Sequence, residues 1–458
     1  MGKSNEDKRE KEKKRRIQVW RAQTTAKRST CSGYRSTVRA RAEPTAREMA
    51  RPAQLNGEKE GTFVYKTIVH RWPEIVTKCV DSMHRRRDEL IARFGEDVDE
   101  DLKATIHSMS EMRYQLMTNK PLTGIVGEEA NGHYGEWMDK YTKEVGTPTW
   151  YNVPWLFVEC YLYRRIWSFF AESRFLKNED VFAHQKQASF IGQCDFSHLV
   201  PLRTHVRSIP QISDAAKFLE EMCLWGNQAD LSLSGGKHVE GVSPTEAAAA
   251  RDSFLLTNDL DSVVDRVILP FVHGARPHDK KRRLDVVLDN AGVELVADLV
   301  LVDFLLHSAK AFDVPMPWFV SDVTPSDFSW TLEELAKLPA ASNLADRLST
   351  AQRAGRLVFS SHAYFCYSQP FETMQFEAQD LWNEGDLNYR KLIGDRPWKF
   401  DTPMKKALGE FTLRPILALR TLKAECLAGL SAETAATRDE NDLSWMVTGE
   451  YAVAQLID

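Results

Sequence analysis

Oxygen-bearing and basic side chains stand at the ends of three short apolar runs in the second half of the chain. They are Asp289 and Asn290 after LDVVL, then Ser321, Asp322 and Asp327 after PWFV, then Arg420, Thr421 and Lys423 after ILAL. Two carboxylates and a carboxamide oxygen form a hard-oxygen set of the kind that holds Mg²⁺ or Mn²⁺. Basic groups opposite such a set would face a phosphate, whose oxygens the metal would polarise. The pattern therefore predicts a divalent-metal site for a phosphorylated substrate.

A parallel sheet would bring these side chains together. The β-branched run over 284–288 is followed at once by Ala291, Gly292 and an apolar segment, which predicts a buried strand, a tight turn and a helix. The predicted strands are 284–288, 318–321, 357–360 and 416–419, and the predicted helices between them are 293–307, 331–338 and 371–382. Because ligands of open α/β sheets bind at the carboxyl ends of the strands, the three clusters are expected to converge there.

The chain before this region has a helical period. It predicts helices over 64–94, 102–117 and 213–224, a polar loop over 121–153, and a further helix that opens at the capping box of Ser243 and Glu246. The apolar stretch 154–176 is interrupted by charges such as Glu159 and Arg164, which indicates a buried core helix rather than a membrane span. Glu159 and Arg164 are expected to form a buried structural pair.

Length and element order together predict the architecture. A chain of 458 residues exceeds what one core usually supports, and strand–helix alternation is typical of a parallel sheet. The predicted fold class is α/β, with a helical N-terminal unit packed on a doubly wound, mainly parallel α/β/α sheet unit. The predicted divisions are a basic, disordered tail over 1–55, the helical unit over 56–245 and an α/β metal-binding catalytic unit over 246–458.

The N-terminal tail differs in charge from the rest of the chain. Residues 1–51 hold 16 Lys/Arg against 6 Asp/Glu, although the whole chain has a formal net charge of −5. The patch KREKEKKRR fits either a solvated extension or an arm for nuclear import or RNA contact. Seven scattered cysteines without CxxC spacing fit a reducing compartment. A cytoplasmic protein is expected, and the basic tail adds nuclear localisation as a second expected compartment. No membrane partner is expected, and nucleic-acid contact is expected only through the tail.

Each candidate side chain also suits an ordinary structural role. An Asp at a strand end commonly caps a helix or a turn, and Asn290 suits the turn before Ala291 and Gly292. From the residues alone, Asp322 and Asp327 both stay candidates for the third metal oxygen. The sequence contains no GxGxxG, P-loop, GxSxG or HExxH motif, which weighs against dinucleotide, nucleotide, serine-hydrolase and zinc-protease chemistry.

Several longer segments resemble a known family, the metal-dependent damage-control phosphatases of subfamily III, also described as protein-glutamate (acidic residue) O-methyltransferases. The segments are TWYNVPWLFVECYLYRRI (149–166), LWGNQADLSLSGG (224–236), LDNAGVELVADLVLVDFLL (288–306), PWFVSDVTPSDF (317–328), GDLNYRKLIGDRPW (385–398) and RTLK (420–423). The resemblance covers about residues 60–458 and leaves the basic tail unmatched. The RTxK motif is the specific mark of this subfamily.

The resemblance implies a set of site residues and an activity. It implies a metal at Asp289, Asn290 and Asp327, with Asp289, Asn290 and Lys423 as the catalytic residues. It also implies substrate contacts from Asp386, Leu387, Asn388, Tyr389, Arg390 and Lys423. Four further residues are candidates for positioning these side chains without touching the metal or the substrate: Arg420, Thr421, Asn227 and Asp230. The implied reaction is hydrolysis of sugar phosphates such as fructose 1-phosphate and fructose 6-phosphate in metabolite damage control, with Mn²⁺, Co²⁺ or Ni²⁺ preferred to Mg²⁺.

Two other functions stay open at the level of sequence. The first is S-adenosylmethionine-dependent methylation of protein carboxylates, although the chain has no glycine-rich turn for that cofactor. The second is a non-catalytic scaffold whose basic arm makes the contacts. The sequence does not provide an obvious general acid for the leaving group.

Overall fold

The computed structural model describes residues 51–125, 128–192, 224, 254–269, 285–308, 314–315, 322–339, 341–360, 367–373, 381–384, 386–411 and 415–457. The chain divides into two units, Met1–Arg51 and Pro52–Asp458. All elements named below belong to the second unit. Among the described residues, no helix is both long and apolar enough to cross a membrane.

The helices of the described ranges are given in chain order. They are α1 (Phe63–Lys66), α2 (Trp72–Arg85), α3 (Arg87–Phe94), α4 (Val98–Met117), α5 (Glu128–Val145), α6 (Trp155–Ala171), α7 (Ala183–Gly192), α8 (Leu260–Val263), α9 (Val293–Ser308), α10 (Pro325–Lys337), α11 (Ser342–Arg353), α12 (Asp386–Leu392), α13 (Met404–Ala407) and α14 (Ala432–Ala436). Short π-helical turns, Thr67–Arg71 and Val264–Ile268, extend α1 and α8, and 3₁₀ turns form at Phe371–Thr373 and Ser444–Val447.

The N-terminal helices form because their apolar residues recur at helical spacing. Trp72, Val76, Cys79 and Met83 are the buried face of α2, and their steps of four, three and four residues keep them on one side. The expected helix over 64–94 is therefore present, but it is divided into α1, a π-helical turn, α2 and α3. The expected loop over 121–153 is wrong, since α5 occupies most of it.

Within the described residues, five strands form one sheet in the order β1-β7-β6-β5-β2, and β3 and β4 form a separate parallel pair. The strands are β1 (Leu255–Asn258), β2 (Asp285–Val287), β3 (Val314–Pro315), β4 (Phe359–Ser360), β5 (Leu381–Glu384), β6 (Ile416–Thr421) and β7 (Ala452–Ile457). β2, β5 and β6 run parallel to one another, whereas β7 is antiparallel to β6. The carboxyl ends of β2, β5 and β6 therefore share one edge.

The sheet separates two clusters of buried side chains. On β6, Ile416 and Ala418 pack into a cluster that includes α2, α4 and α6, whereas Leu417 and Leu419 pack into a cluster that includes α8 to α11. Successive strand residues point to opposite faces, so this division gives a layer of helices on each side. The predicted α/β class, with a helical N-terminal part packed on the sheet, is confirmed. The boundary at residues 245 and 246 stays a prediction.

The predicted elements agree only partly with the structure. The strand and helix around 284–307 are confirmed as β2 and α9, and the strand over 416–419 is confirmed as part of β6. The helix over 331–338 begins earlier, at Pro325. The helix over 371–382 is wrong at its end, where β5 begins at Leu381. The strand over 318–321, the helix over 213–224 except Leu224, and the capping box at Ser243 lie outside the described residues.

Candidate active site

The loop after β2 holds two of the predicted side chains at the edge of the sheet. Asp289 is 6% exposed, and the Asn290 amide nitrogen donates to the carboxylates of Asp289 at 3.3 Å and Glu294 at 2.9 Å. Gly292 adopts φ 96°, a conformation that glycine takes without strain, so the chain can turn there into α9. Because its amide nitrogen faces two carboxylates, Asn290 directs its carboxamide oxygen away from them.

The segment 322–327 lies directly against this loop. The Val323 amide donates to the Asp289 carbonyl oxygen at 3.0 Å, so the backbone of Asp322 is next to that of Asp289. The Asp322 side chain is also only 6% exposed. Two buried carboxylates and one amide oxygen at this edge are the hard-oxygen donors that a divalent cation prefers. The chemistry of the donors at this place therefore fits a metal of that class.

Asp327, in contrast, caps helix α10. Its Oδ2 accepts hydrogen bonds from the Thr324 amide at 2.9 Å and the Thr324 hydroxyl at 2.8 Å, and the Asp327 amide donates back to that hydroxyl at 3.2 Å. This is a complete capping box at the start of α10. The same Oδ2 also accepts from the Lys186 ammonium at 2.8 Å. The structure thus gives Asp327 a helix cap and a cationic partner.

Lys186 in α7 is a charged residue of this region that sequence reasoning missed. Its ammonium also donates to the Asp180 carboxylate at 2.8 Å and to the Asp322 carbonyl at 2.7 Å. Burial opposes its charge, but Asp180 and Asp327 raise the pKa of Lys186 above its usual value. Burial raises the pKa of Asp180, against the attraction of Lys186. One feature of the sequence indicates that Lys186 is buried: it lies four residues from both Phe182 and Phe190, on the same face of a helix.

The loops after β5 and β6 are joined by Arg420. The guanidinium Nε donates to Asp386 Oδ1 at 2.9 Å, and Nη2 lies 2.7 Å from the same oxygen. Its nitrogens also donate to the carbonyls of Cys426 at 2.6 Å and Ala424 at 3.2 Å. Arg420 is fully buried, and it fixes the loop that carries Lys423 to the first residue of α12.

Lys423 lies in that loop, two residues beyond the end of β6. Its side chain is 3% exposed, and Thr421, two residues before it, is fully buried. The Leu422 amide donates to the Tyr451 carbonyl at 2.8 Å, which ties the loop to the start of β7. Lys423 is therefore held in a fixed backbone at the same sheet edge as Asp289.

Helix α12 carries the predicted substrate contacts, but several of them have structural partners. The Arg390 guanidinium donates to Asp395 at 2.8 and 3.2 Å, pairs with Glu159, and lies 3.4 Å from the Trp155 ring centroid. Glu159 thus pairs with Arg390, and the expected pair with Arg164 is wrong, since Arg164 lies over Trp167 at 4.0 Å. Arg390 anchors α12 to α6 through a buried, charge-paired contact.

The other residues of α12 differ in exposure. The Tyr389 hydroxyl donates to Gln455 Oε1 at 2.9 Å, and Tyr389 and Asn388 are buried, whereas Asp386 and Leu387 are half-buried at the start of the helix. The start of α12 is therefore the part of this helix that is open at the sheet edge. Substrate contact by any of these residues stays a prediction.

The predicted supporting residues Asn227 and Asp230 lie outside the described residues, as does Ser321. Across the part of the chain that the structure describes, no group of three or more His, Cys, Asp or Glu side chains is arranged to hold a metal. A metal at the β2 edge would therefore depend on the oxygen of Asn290 together with two carboxylates and water.

Comparison with known proteins identifies the family that the sequence motifs at this sheet edge indicated. Residues 67–438 match the family model of the damage-control phosphatase ARMT1-like domain. The chain is 36% identical over 441 residues to damage-control phosphatase ARMT1 of Mus musculus, covering 88% of this chain and 98% of the relative. It is 34% identical over 442 residues to the Danio rerio protein of that name, covering 90% and 98%. The chain belongs to the damage-control phosphatase ARMT1-like family.

Membership in this damage-control phosphatase family confirms the resemblance carried by the sequence motifs. It supports a phosphatase function in metabolite repair and agrees with the polar groups at the ends of β2, β5 and β6. Among solved structures, the chain is similar to a DUF89 family protein from Pyrococcus horikoshii. The match covers 77% of this chain and 96% of that protein, at 11% sequence identity and a TM-score of 0.33.

Proposed function

We propose that this damage-control phosphatase is a metal-dependent phosphomonoester hydrolase that acts on sugar phosphates of the fructose 1-phosphate and fructose 6-phosphate type. One observation supports the proposal most. β2, β5 and β6 are parallel neighbours, and Val287, Asn383 and Ala418 share a register, so the loops with Asp289, Asp386 and Lys423 leave the sheet at one edge. An anionic substrate bridging a cation and a lysine fits that edge.

Asp289 and Asn290 would hold the cation, with a second carboxylate from the segment 322–327 as the third ligand. The resemblance implied Asp327, but Asp327 Oδ2 already accepts three hydrogen bonds, one of them from an ammonium. Asp322 is the alternative, since it is buried and its neighbour Val323 bonds to Asp289. We propose Mn²⁺, with Co²⁺ or Ni²⁺ next and Mg²⁺ weaker. When bound, such a cation polarises the phosphoryl oxygens and offsets their negative charge.

The chain's own residues supply positioning and charge. The Lys423 ammonium would stabilise the charge that builds on the equatorial phosphoryl oxygens as water attacks phosphorus in line. The ester P–O bond breaks, inorganic phosphate is formed, and the sugar oxygen takes up a proton. Asp386 would orient a sugar hydroxyl or the attacking water, because Arg420 fixes its carboxylate. Arg390, paired with Asp395 and Glu159, would act by holding α12 in place.

The first test measures phosphate release from a sugar-phosphate panel with Mn²⁺, Co²⁺, Ni²⁺, Mg²⁺ or EDTA. Lys423→Met and Asp289→Asn are each expected to lower kcat/KM about a hundredfold, a loss of about 2.7 kcal/mol of transition-state stabilisation. Lys405→Met is the matched control, because Lys405 is exposed on the nearby helix α13. The control should keep the activity of the parent.

The same assay distinguishes the two candidate carboxylates. Asp322→Asn is expected to weaken Mn²⁺ activation more than Asp327→Asn, whereas Asp327→Asn is expected to lower the melting temperature more, since it removes a helix cap and an ion pair. No phosphate release from the folded parent with any metal would contradict the proposal. Calorimetric binding of S-adenosylmethionine without metal would then favour the methyltransferase alternative.

A further inference from the structure

The ammonium of Lys186 is buried next to the proposed site, although nothing in the proposed reaction requires it to touch the substrate. Its side chain is 3% exposed. A lysine ammonium has three hydrogens to donate, and this one has three oxygen acceptors, Asp180 Oδ2, Asp327 Oδ2 and the Asp322 carbonyl, at 2.7 to 2.8 Å. The charge is therefore fully hydrogen-bonded inside the protein.

A buried ammonium is unfavourable unless its environment compensates for lost hydration. Here the compensation comes from two different parts of the chain. Asp180 lies six residues before Lys186, whereas Asp322 and Asp327 lie 136 and 141 residues after it. The local partner stabilises the lysine, and the two distant partners make it a link between α7 and the segment 322–327.

The two distant contacts hold both ends of the segment 322–327. Lys186 binds the Asp322 carbonyl at one end and the Asp327 carboxylate at the other, and between them the Val323 amide bonds to the Asp289 carbonyl. Two of these three contacts therefore depend on the Lys186 side chain. Loss of Lys186 would remove the contacts of both ends of the segment to α7, whereas the capping box of Thr324 and the hydrogen bond from Val323 to Asp289 do not involve it.

We infer that Lys186 is a positioning residue that holds the segment 322–327 against Asp289 and so sets the affinity of this edge for a divalent cation. This inference rests on the proposed function. Lys186 acts by geometry, because it keeps the carboxylate of the segment 322–327 near Asp289 before the cation binds. It also offsets the charge of Asp327, which limits repulsion among the neighbouring carboxylates.

The test measures Mn²⁺ binding to the full chain by calorimetry, without substrate. Lys186→Met is expected to raise the Mn²⁺ Kd at least tenfold, and Lys186→Arg to recover part of that loss because a guanidinium can still bridge the two acceptors. Asp180→Asn is the matched control. It removes a partner of Lys186 that lies outside the segment, so it should lower the melting temperature yet leave the Mn²⁺ Kd within about threefold of the parent.

The outcomes separate the inference from the function on which it rests. If the parent binds no Mn²⁺, the proposed metal site is wrong. If the parent binds Mn²⁺ and folded Lys186→Met binds it equally well, the positioning role is wrong. If Lys186→Met does not fold, the double variant Lys186→Met/Asp180→Asn carries the test, because it leaves one fewer unpaired buried carboxylate. Equal loss of Mn²⁺ affinity in Asp180→Asn would instead show a general effect of stability and overturn the inference.

Discussion

The His133 imidazole shows how burial fixes the charge state of one residue in this protein. It stacks on Tyr367 with ring centroids 4.0 Å apart, its Nε2 lies 3.3 Å from the Ser368 hydroxyl, and the Gln369 amide nitrogen lies 3.4 Å from its Nδ1. Burial, with a smaller effect of the nearby Lys391 charge, lowers the pKa of His133 from its ordinary 6.5 to about 3. The imidazole is therefore neutral in the folded protein at physiological pH.

This depressed pKa predicts a pH dependence of stability. The unfolded chain binds a proton on His133 below pH 6.5, whereas the folded chain does so only near pH 3, so the free energy of unfolding falls as the pH drops from 6.5 toward 3. At pH 5 this linkage removes about 2 kcal/mol. Urea unfolding of the parent and of His133→Gln between pH 5 and 7 measures it. The variant should lose stability less steeply, and identical slopes for the two proteins would contradict the assignment.

Among the secondary-structure elements, the contact between the β6 loop and α12 organises the site. Arg420 extends from the end of β6 and binds Asp386 in the first turn of α12, and its guanidinium also binds the carbonyls of Ala424 and Cys426. A lysine ammonium at this position cannot reproduce the planar geometry that joins all three partners. The guanidinium lies over the Tyr389 ring at 4.4 Å. The arginine of the RTxK motif therefore has a structural role, whereas the phosphate contact that we propose belongs to the lysine of that motif.

Arg420→Lys tests this division of tasks. The lysine can keep one partner, so at least one buried oxygen loses its hydrogen bond, and we expect a loss of about 2 kcal/mol in the free energy of unfolding. Because the Lys423 loop is then less fixed, kcat/KM for phosphate release should fall about tenfold. Arg353→Lys, on the exposed end of α11, is the control and should change neither value. Wild-type stability together with lost activity would place Arg420 on the substrate instead.

At the scale of the whole molecule, a short N-terminal strap joins distant parts of the fold. The strap is residues 52–57. The Leu55 amide donates to the Asp395 carbonyl at 3.0 Å, the Trp155 amide donates to the Leu55 carbonyl at 2.7 Å, and the Gly57 amide donates to the Tyr151 carbonyl at 2.9 Å. These bonds connect the start of α6 to the loop after α12, where Asp395 also binds Arg390. The strap therefore supports the buried anchor of α12.

Two truncations measure the contribution of the strap. Deletion of residues 1–51 leaves every strap contact in place, so we expect an unchanged melting temperature and full phosphatase activity. Deletion of residues 1–57 removes the strap bonds, and we expect a melting temperature lower by several degrees and weaker activity. Equal melting temperatures for the two deletion variants would show that the strap does not contribute to stability. Loss of all function on deleting residues 1–51 alone would favour the scaffold alternative.

The sequence by itself determined the local chemistry of the site. The apolar run, the Asp289 and Asn290 pair and the glycine turn predicted β2 and its carboxyl end, because those features depend on residues within a few positions of one another. The motifs also predicted the family. The sequence did not predict β5, since FEAQDLWNE favours a helix locally and the strand forms only because β2 and β6 lie on either side of it.

Tertiary structure alone decided which charged side chains have structural partners. Arg390 pairs with Glu159, 231 residues away, and Asp327 pairs with Lys186, 141 residues away. Spacing along the chain predicts contacts between neighbours on a helix or a strand, but it does not predict which distant charges meet in a folded core. For this reason the sequence provided a list of candidate groups, and only the fold identified Arg390, Arg420 and Asp327 as residues with structural partners.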